Sequence, residues 1–134
     1  MEPLPLNAAQ TFFWITDLGF IAYWLATSLY LVPLEWAFKD YADPTLVAWN
    51  WSFFPLDLLI SANGLYALWR SSHDPDWRGW ALVSLSLTLA AGLNGNSFWA
   101  IRGDFALAWW IPNLYLLLYP LYFIPKWLTF APRG

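Results

Sequence analysis

Four long apolar segments dominate this sequence, and each has the length that a helix needs to cross a lipid bilayer. A bilayer core of about 30 Å requires roughly 20 apolar residues in helical form. The segments run from about residue 12 to 32, 46 to 69, 80 to 101 and 105 to 128. Only helices and closed barrels satisfy the backbone in lipid, and none of the segments alternates with the period of a barrel strand. The sequence therefore predicts an all-α integral membrane protein.

Short connections separate the segments, so consecutive helices are expected to be antiparallel neighbours in one transmembrane domain, residues 1–134. This arrangement is an up-down four-helix bundle. Lysine and arginine are more frequent on the side that carries both termini, and by the positive-inside rule that side is cytoplasmic. The four residues on this side and the two on the other are Arg70, Arg78, Lys126 and Arg133 against Lys39 and Arg102.

Composition argues against several classes of function. The net charge of −3 provides no basic patch for nucleic acid. The chain has no cysteine, and its one histidine, His73, falls in a polar loop. The sequence therefore shows no metal-ligating set, no axial ligand for haem and no nucleophilic triad. A lone acid among amides could manage only proton transfer, so an enzyme is poorly supported and no particular cofactor is implied.

Polar residues within the apolar segments are the most informative about function, because each costs free energy in lipid unless it has a partner. A rise of about 1.5 Å per residue puts Asp57 roughly 12 Å below the outer boundary, with Asn113 at the same level. The same rise brings Asn94 to roughly 10 Å from that boundary. Thr27 and Ser28 approach this layer on the first segment. Four helices are thus expected to deliver a polar group to one layer.

The second segment carries a polar stripe. Asn50, Asp57, Ser61 and Gly64 are spaced by seven, four and three residues, which places them on one helical face together with Phe54. An acid within a membrane helix costs more free energy than an amide would, and a hydrogen bond between helices needs no acid. Such bonds contribute on average only about 0.6 kcal/mol. An interhelical hydrogen-bond network nevertheless remains the alternative to a ligand site.

Prolines and tryptophans add to this picture. Pro55 and Pro112 each remove an amide donor, and prolines in membrane helices mark kinks. Most tryptophans fall near predicted membrane boundaries, where amphipathic rings sit at headgroup level. Trp14, Trp24 and Trp99 lie deeper and are the candidates for lining a cavity.

Asp17 is the second acid within the apolar segments and belongs to a different layer. It lies about 8 Å from the inner boundary, with no lysine or arginine predicted at its depth. Hydration from the cytoplasmic side, neutralisation and hydrogen bonds from nearby hydroxyls are the three ways of accommodating it there.

These observations predict a protein that binds or senses an apolar small molecule or a membrane lipid through an intramembrane polar cluster. Two further functions fit the same sequence. One is an accessory subunit or assembly factor of a larger membrane complex, and the other is a small proton-coupled transporter that acts as an oligomer, such as a homodimer. The candidate ligand-binding residues are Asp57, Asn94, Asn113, Asn50, Phe54, Trp99 and Asp17.

Two strings in the first half of the chain carry a family resemblance. Residues 49–59 (WNWSFFPLDLL), together with residues 16–20 (TDLGF) and Tyr23-Trp24, resemble the YvaD-like family of small bacterial four-helix membrane proteins. The resemblance implies a multi-pass protein of the bacterial inner membrane. It implies no mechanism, because no activity is assigned to that family, but it includes the two acids within the apolar segments, Asp17 and Asp57.

Overall fold

All regular secondary structure in the described part of the chain is helical. The computed structural model describes residues 6–37 and 40–129, so Lys39 and Arg133, which contribute to the predicted orientation, lie outside it. The helices in these residues are α1 (Leu6–Ser28), α2 (Leu34–Ala37), α3 (Pro44–Trp51), α4 (Phe53–Arg70), α5 (Trp77–Ile101) and α6 (Leu107–Thr129). The predicted all-α class is therefore confirmed.

The first long helix ends earlier than its apolar pattern predicts. The pattern continues to about residue 32, whereas α1 ends at Ser28. Tyr30 has a positive φ of 54°, the Leu31 amide donates to the Ala26 carbonyl at 2.8 Å, and the Tyr30 amide donates to the Thr27 carbonyl at 3.3 Å. These two bonds form a Schellman motif, which satisfies the last carbonyls of a helix. The motif stops α1 although apolar residues follow.

The second predicted segment is divided into two helices. Asp43 caps α3 with its side chain, Pro44 occupies the first helical turn, and the helix ends at Trp51. After the single residue Ser52, the chain enters α4. Pro55 has no amide hydrogen to donate to the Trp51 carbonyl one turn earlier, and its ring crowds that carbonyl. The helix is interrupted at Ser52, although this residue keeps a right-handed helical conformation with a φ of −64° and a ψ of −20°.

A tight turn joins α5 to α6, as the sequence predicts. Gly103 has a φ of 71°, and its amide donates to the Ala100 carbonyl at 3.0 Å. The Asp104 amide donates to the Trp99 carbonyl at 2.9 Å. This is again a Schellman motif, here with glycine in the left-handed position that it adopts without strain.

The four long helices alternate in direction. Helix α5 packs against both α4 and α6, and α4 also packs against α1. At one end of the molecule, Phe13 near the start of α1 meets Ala67 near the end of α4, Trp77 at the start of α5, and Phe123 and Trp127 near the end of α6. We call this cluster of four aromatic residues and one alanine the aromatic core. Their clustering requires that successive long helices run in opposite directions.

Large apolar side chains cover much of the outside of these helices. Leu18 and Leu25 on α1, Leu59 on α4, Leu93 on α5 and Leu118 on α6 are all exposed. Within the described residues, length and mean hydropathy alone mark one helix as able to cross a membrane, the segment Leu107–Leu128 of α6.

Polar side chains are buried in the molecule together with the apolar core. The buried polar side chains are Thr16, Asp17, Thr27, Asp57, Ser61, Ser84, Thr88 and Asn96. Several of them satisfy backbone carbonyls: Ser61 Oγ donates to the Asp17 carbonyl, and Ser84 Oγ donates to the Ile60 carbonyl, both at 2.9 Å. Polar groups thus connect α1 to α4 and α4 to α5.

Candidate functional site

A cavity of about 290 Å³ lies at the end of the molecule opposite the aromatic core. Helices α1, α3, α4, α5 and α6 all contribute to its wall. Aromatic rings form much of that wall, among them the indoles of Trp24, Trp49, Trp99 and Trp109 and the ring of Phe53. Its volume is close to the lower end of the range for ligand pockets, roughly 300–1,000 Å³. We call this space the central cavity.

Asp57 is the one acidic residue that lines the central cavity among the described residues. Its side chain is 5% exposed, and its Oδ2 accepts a hydrogen bond of 2.9 Å from Nε1 of Trp24. In the described part of the chain, no lysine, arginine or histidine forms an ion pair with it. Asp57 is thus a buried carboxyl whose identified partner is a neutral indole donor.

Trp24 is held in place on several sides. Its ring centroid lies 4.9 Å from that of Tyr23, 5.0 Å from that of Trp51 and 5.2 Å from that of Phe54. The Tyr23 hydroxyl in turn donates to the Ala37 carbonyl, which ties α1 to α2. This packing fixes the indole in the orientation that directs its N–H at the carboxyl on α4.

Two asparagines complete the polar part of the wall. Nδ2 of Asn50 donates to the Leu46 carbonyl at 3.0 Å, and Nδ2 of Asn113 donates to the Trp109 carbonyl at 2.7 Å. In both cases the carbonyl belongs to the residue four positions earlier in the same helix. Each amide thus gives one of its two hydrogens to its own helix. The side-chain oxygen of Asn113 lies against Gly95 of α5, where a Cβ atom would be 2.4 Å from it.

The structure brings four of the seven predicted site residues together around the central cavity: Asp57, Asn113, Asn50 and Trp99. The expectation that Asp57 and Asn113 share one layer is consistent with this placement. That these residues bind a ligand stays a prediction.

Asn94 does not line the cavity, contrary to the prediction. It is exposed on the outer face of α5, whereas Gly92, Gly95, Asn96 and Trp99 form the buried face. Those four residues have helical spacings of three, one and three, and Asn94 falls outside their stripe. Neither side-chain polar atom of Asn96 has a hydrogen-bond partner in the described residues.

Phe54 also lies outside the central cavity. It lines a smaller, apolar space of about 180 Å³ between α1 and α4, together with Ile21, Leu25 and Leu58. Trp24 borders both spaces. Asn50 and Phe54 thus line different spaces, although their spacing of four residues predicts one helical face.

Asp17 occupies a separate place, as its predicted depth indicates, and is not part of the cavity wall. It is 1% exposed, and its Oδ2 has no hydrogen-bond partner among the described residues. A Cβ atom at Gly64 would overlap its carboxyl group, so this carboxyl lies directly against the backbone of α4. Nearby, the hydroxyls of Thr16 and Tyr115 share a hydrogen bond of 2.9 Å between α1 and α6.

Sequence reasoning missed part of the aromatic wall. Trp24 and Trp99 line the cavity as expected, but Trp14 is exposed. Trp49 and Trp109 also line it, although their positions near predicted boundaries suggested headgroup contacts. The available signal was local: Trp49 neighbours Asn50 in the sequence, and Trp109 lies one helical turn before Asn113.

Comparison with known proteins places the chain in a family. The model of the family described as "Family of unknown function (DUF5360)" matches residues 9–133. The chain is 54% identical over 116 residues to the "Uncharacterized protein YvaD" of Bacillus subtilis (strain 168), an alignment that covers 86% of this chain and 87% of that protein. No solved structure matches. The resemblance drawn from residues 16–20 and 49–59 is therefore confirmed, and the chain belongs to the DUF5360 family of YvaD-like proteins.

Proposed function

We propose that this protein is an integral membrane four-helix bundle that binds an apolar small molecule or lipid in its central cavity. The distribution of polarity supports the membrane location. Water-soluble bundles place apolar side chains inside and polar ones outside, whereas here leucines cover the outside and Asp17, Ser61, Ser84 and Thr88 are buried. Lipid is the solvent in which exposed leucines cost nothing and buried polar groups find partners between helices.

This proposal includes location in the bacterial inner membrane with both termini in the cytoplasm. When the protein is produced in bacteria, we expect it to sediment with the inner membrane, to resist extraction by alkaline carbonate and to dissolve in mild detergent. A soluble protein would remain in the supernatant, and a peripheral one would be released by carbonate. Recovery of the chain in either fraction would contradict the proposed location.

The observation that carries the binding function is Asp57 in the wall of an aromatic cavity. A largely apolar pocket with a few convergent polar groups is the usual form of a small-molecule site. Trp24, Trp49 and Trp99 provide apolar surface, while the carboxyl of Asp57 provides an acceptor for one polar group of the ligand. Since structural bonds between helices need no acid, a carboxyl at this place suits a ligand better than it suits helix packing.

A thermal-shift screen of the purified protein with lipids and isoprenoids tests this function. A ligand present at 100 times its dissociation constant raises the free energy of unfolding by about 2.7 kcal/mol. For Asp57→Asn, which keeps the shape and an acceptor for Trp24, we expect binding to weaken about tenfold, which lowers that gain to about 1.4 kcal/mol.

Asp17→Asn is the matched control, because Asp17 is also a buried carboxyl but lies outside the cavity wall. We expect this variant to respond to the ligand as the wild type does. Two results would count against the proposal: no compound that stabilises the wild type, or equal stabilisation of the wild type and Asp57→Asn by every active compound.

A further inference from the structure

We infer that the ligand of the central cavity is a lipophilic monocation, an organic ammonium group attached to an apolar body. This inference rests on the proposed function and names the chemical class of its ligand. Two features of the cavity wall support it: the aromatic rings and the carboxyl without a cationic partner.

The aromatic wall has the composition of a cation-binding cage. Trp24, Trp49, Trp99 and Trp109 contribute four indoles, and Tyr23 adds a phenol ring. The face of an aromatic ring carries partial negative charge and attracts a cation within about 6 Å of its centre, and tryptophan does so most strongly. Aromatic cages of this kind are the recurring solution for quaternary ammonium ligands. A neutral apolar ligand would be served as well by leucine and isoleucine.

The carboxyl group in the wall determines which ligand charge the site favours. Asp57 is buried at the cavity surface, and no cationic side chain in the described residues forms an ion pair with it. A buried charge is costly unless it is paired. A bound cation would supply that pairing, whereas an anionic ligand would meet like charge in a site of low polarity.

The hydrogen bonds of the wall are compatible with a positively charged ligand. The Tyr23 hydroxyl, the Trp24 indole and the Asn113 amide all donate to oxygen atoms of the protein itself. Nδ2 of Asn50 does the same. An amide nitrogen carries two hydrogens, so each asparagine keeps a second donor as well as its oxygen, and Asp57 is the side chain of the wall that can only accept when it is ionised. Acceptors suit an ammonium group, which donates hydrogen bonds or, when fully alkylated, attracts oxygen by charge alone.

A pair of isosteric compounds separates charge from shape. Benzyltrimethylammonium and 2,2-dimethylpropylbenzene have the same skeleton, with nitrogen in the first where the second has carbon, and they differ by one positive charge. Binding of each to the full-length protein in detergent is measured by equilibrium dialysis against empty micelles. We expect the cation to bind the wild type at least about tenfold more tightly than its neutral isostere.

The variants locate the source of this preference. Asp57→Asn should lose about tenfold in affinity for the cation and keep its affinity for the neutral compound. Asp17→Asn should bind both compounds as the wild type does. Equal or tighter binding of the neutral isostere by the wild type overturns the inference, and this result needs no variant to fold. Unchanged binding of the cation by Asp57→Asn would also overturn the inference.

The two proposals fail in different ways. Tight binding of the neutral isostere removes the preference for a cation and leaves the proposed function standing. Absence of saturable binding for both compounds overturns the cationic ligand, and the lipid and isoprenoid screen then decides the proposed function separately.

Discussion

Trp127→Ala is expected to lower the free energy of unfolding by about 3–5 kcal/mol, the largest change among the substitutions considered. Trp127 is 1% exposed and belongs to the aromatic core, where its ring centroid lies 5.5 Å from that of Trp77 and 5.9 Å from that of Phe123. Its Nε1 has no hydrogen-bond partner in the described residues. The loss is therefore one of packing, and it can be measured by denaturant unfolding in detergent micelles.

Trp69→Ala is the matched control for this substitution. Trp69 is the same residue type on α4, but its side chain is 63% exposed. Removal of an exposed indole leaves no internal cavity, so the free energy of unfolding should change by less than about 0.5 kcal/mol. Equal effects of the two substitutions would mean that the aromatic core does not support the fold in the way described.

Gly92→Ala is the second large effect, a destabilisation of about 1–3 kcal/mol. A Cβ atom at Gly92 would lie 2.6 Å from the backbone nitrogen of Leu117, 2.8 Å from the carbonyl carbon of Leu116 and 2.9 Å from the carbonyl oxygen of Asn113. These are backbone atoms of α6, so no side chain can rotate away, and the two helices must separate. The separation should also displace Asn113 and weaken ligand binding.

Gly79→Ala provides the comparison within the same helix. A Cβ atom at Gly79 would meet no atom within 4 Å. This variant should be at least as stable as the wild type, because alanine favours the helix over glycine. If Gly92→Ala unfolds at the same denaturant concentration as Gly79→Ala, α5 and α6 do not approach each other as closely as the structure shows.

The number and order of the long helices could be predicted from the sequence, because each has a continuous apolar segment. Their ends depended on single residues. Tyr30 adopts a left-handed conformation that terminates α1 inside an apolar run, and nothing in the composition of that run indicates it. Pro55 indicated a kink, but whether a proline bends a helix or divides it depends on the surrounding packing. Here the helix is interrupted at the single residue Ser52.

The depth of the candidate site residues was easier to predict than their direction. The rise per residue placed Asp57 and Asn113 in one layer, and both line the central cavity. The same calculation selected Asn94, which points outward, because depth carries no information about the side of the helix. The stripe of Gly92, Gly95 and Trp99 contained that information, since close approach of a neighbouring helix requires small residues.

The hydrogen bond from Trp24 to Asp57 could not be predicted at all from the sequence. The two residues are 33 positions apart on different helices, and an indole has no positional pattern that identifies its partner. The packing of Tyr23, Trp51 and Phe54 around the ring helps to determine where its N–H points.

The junction at Ser52 means that two helices share the cavity wall. Trp49 and Asn50 belong to α3, whereas Phe53 and Asp57 belong to α4. Trp51, the last residue of α3, also packs on the Trp24 ring whose N–H meets Asp57. A substitution that bends the chain at Ser52 should therefore change the width of the cavity and the hydrogen bond of Asp57 together.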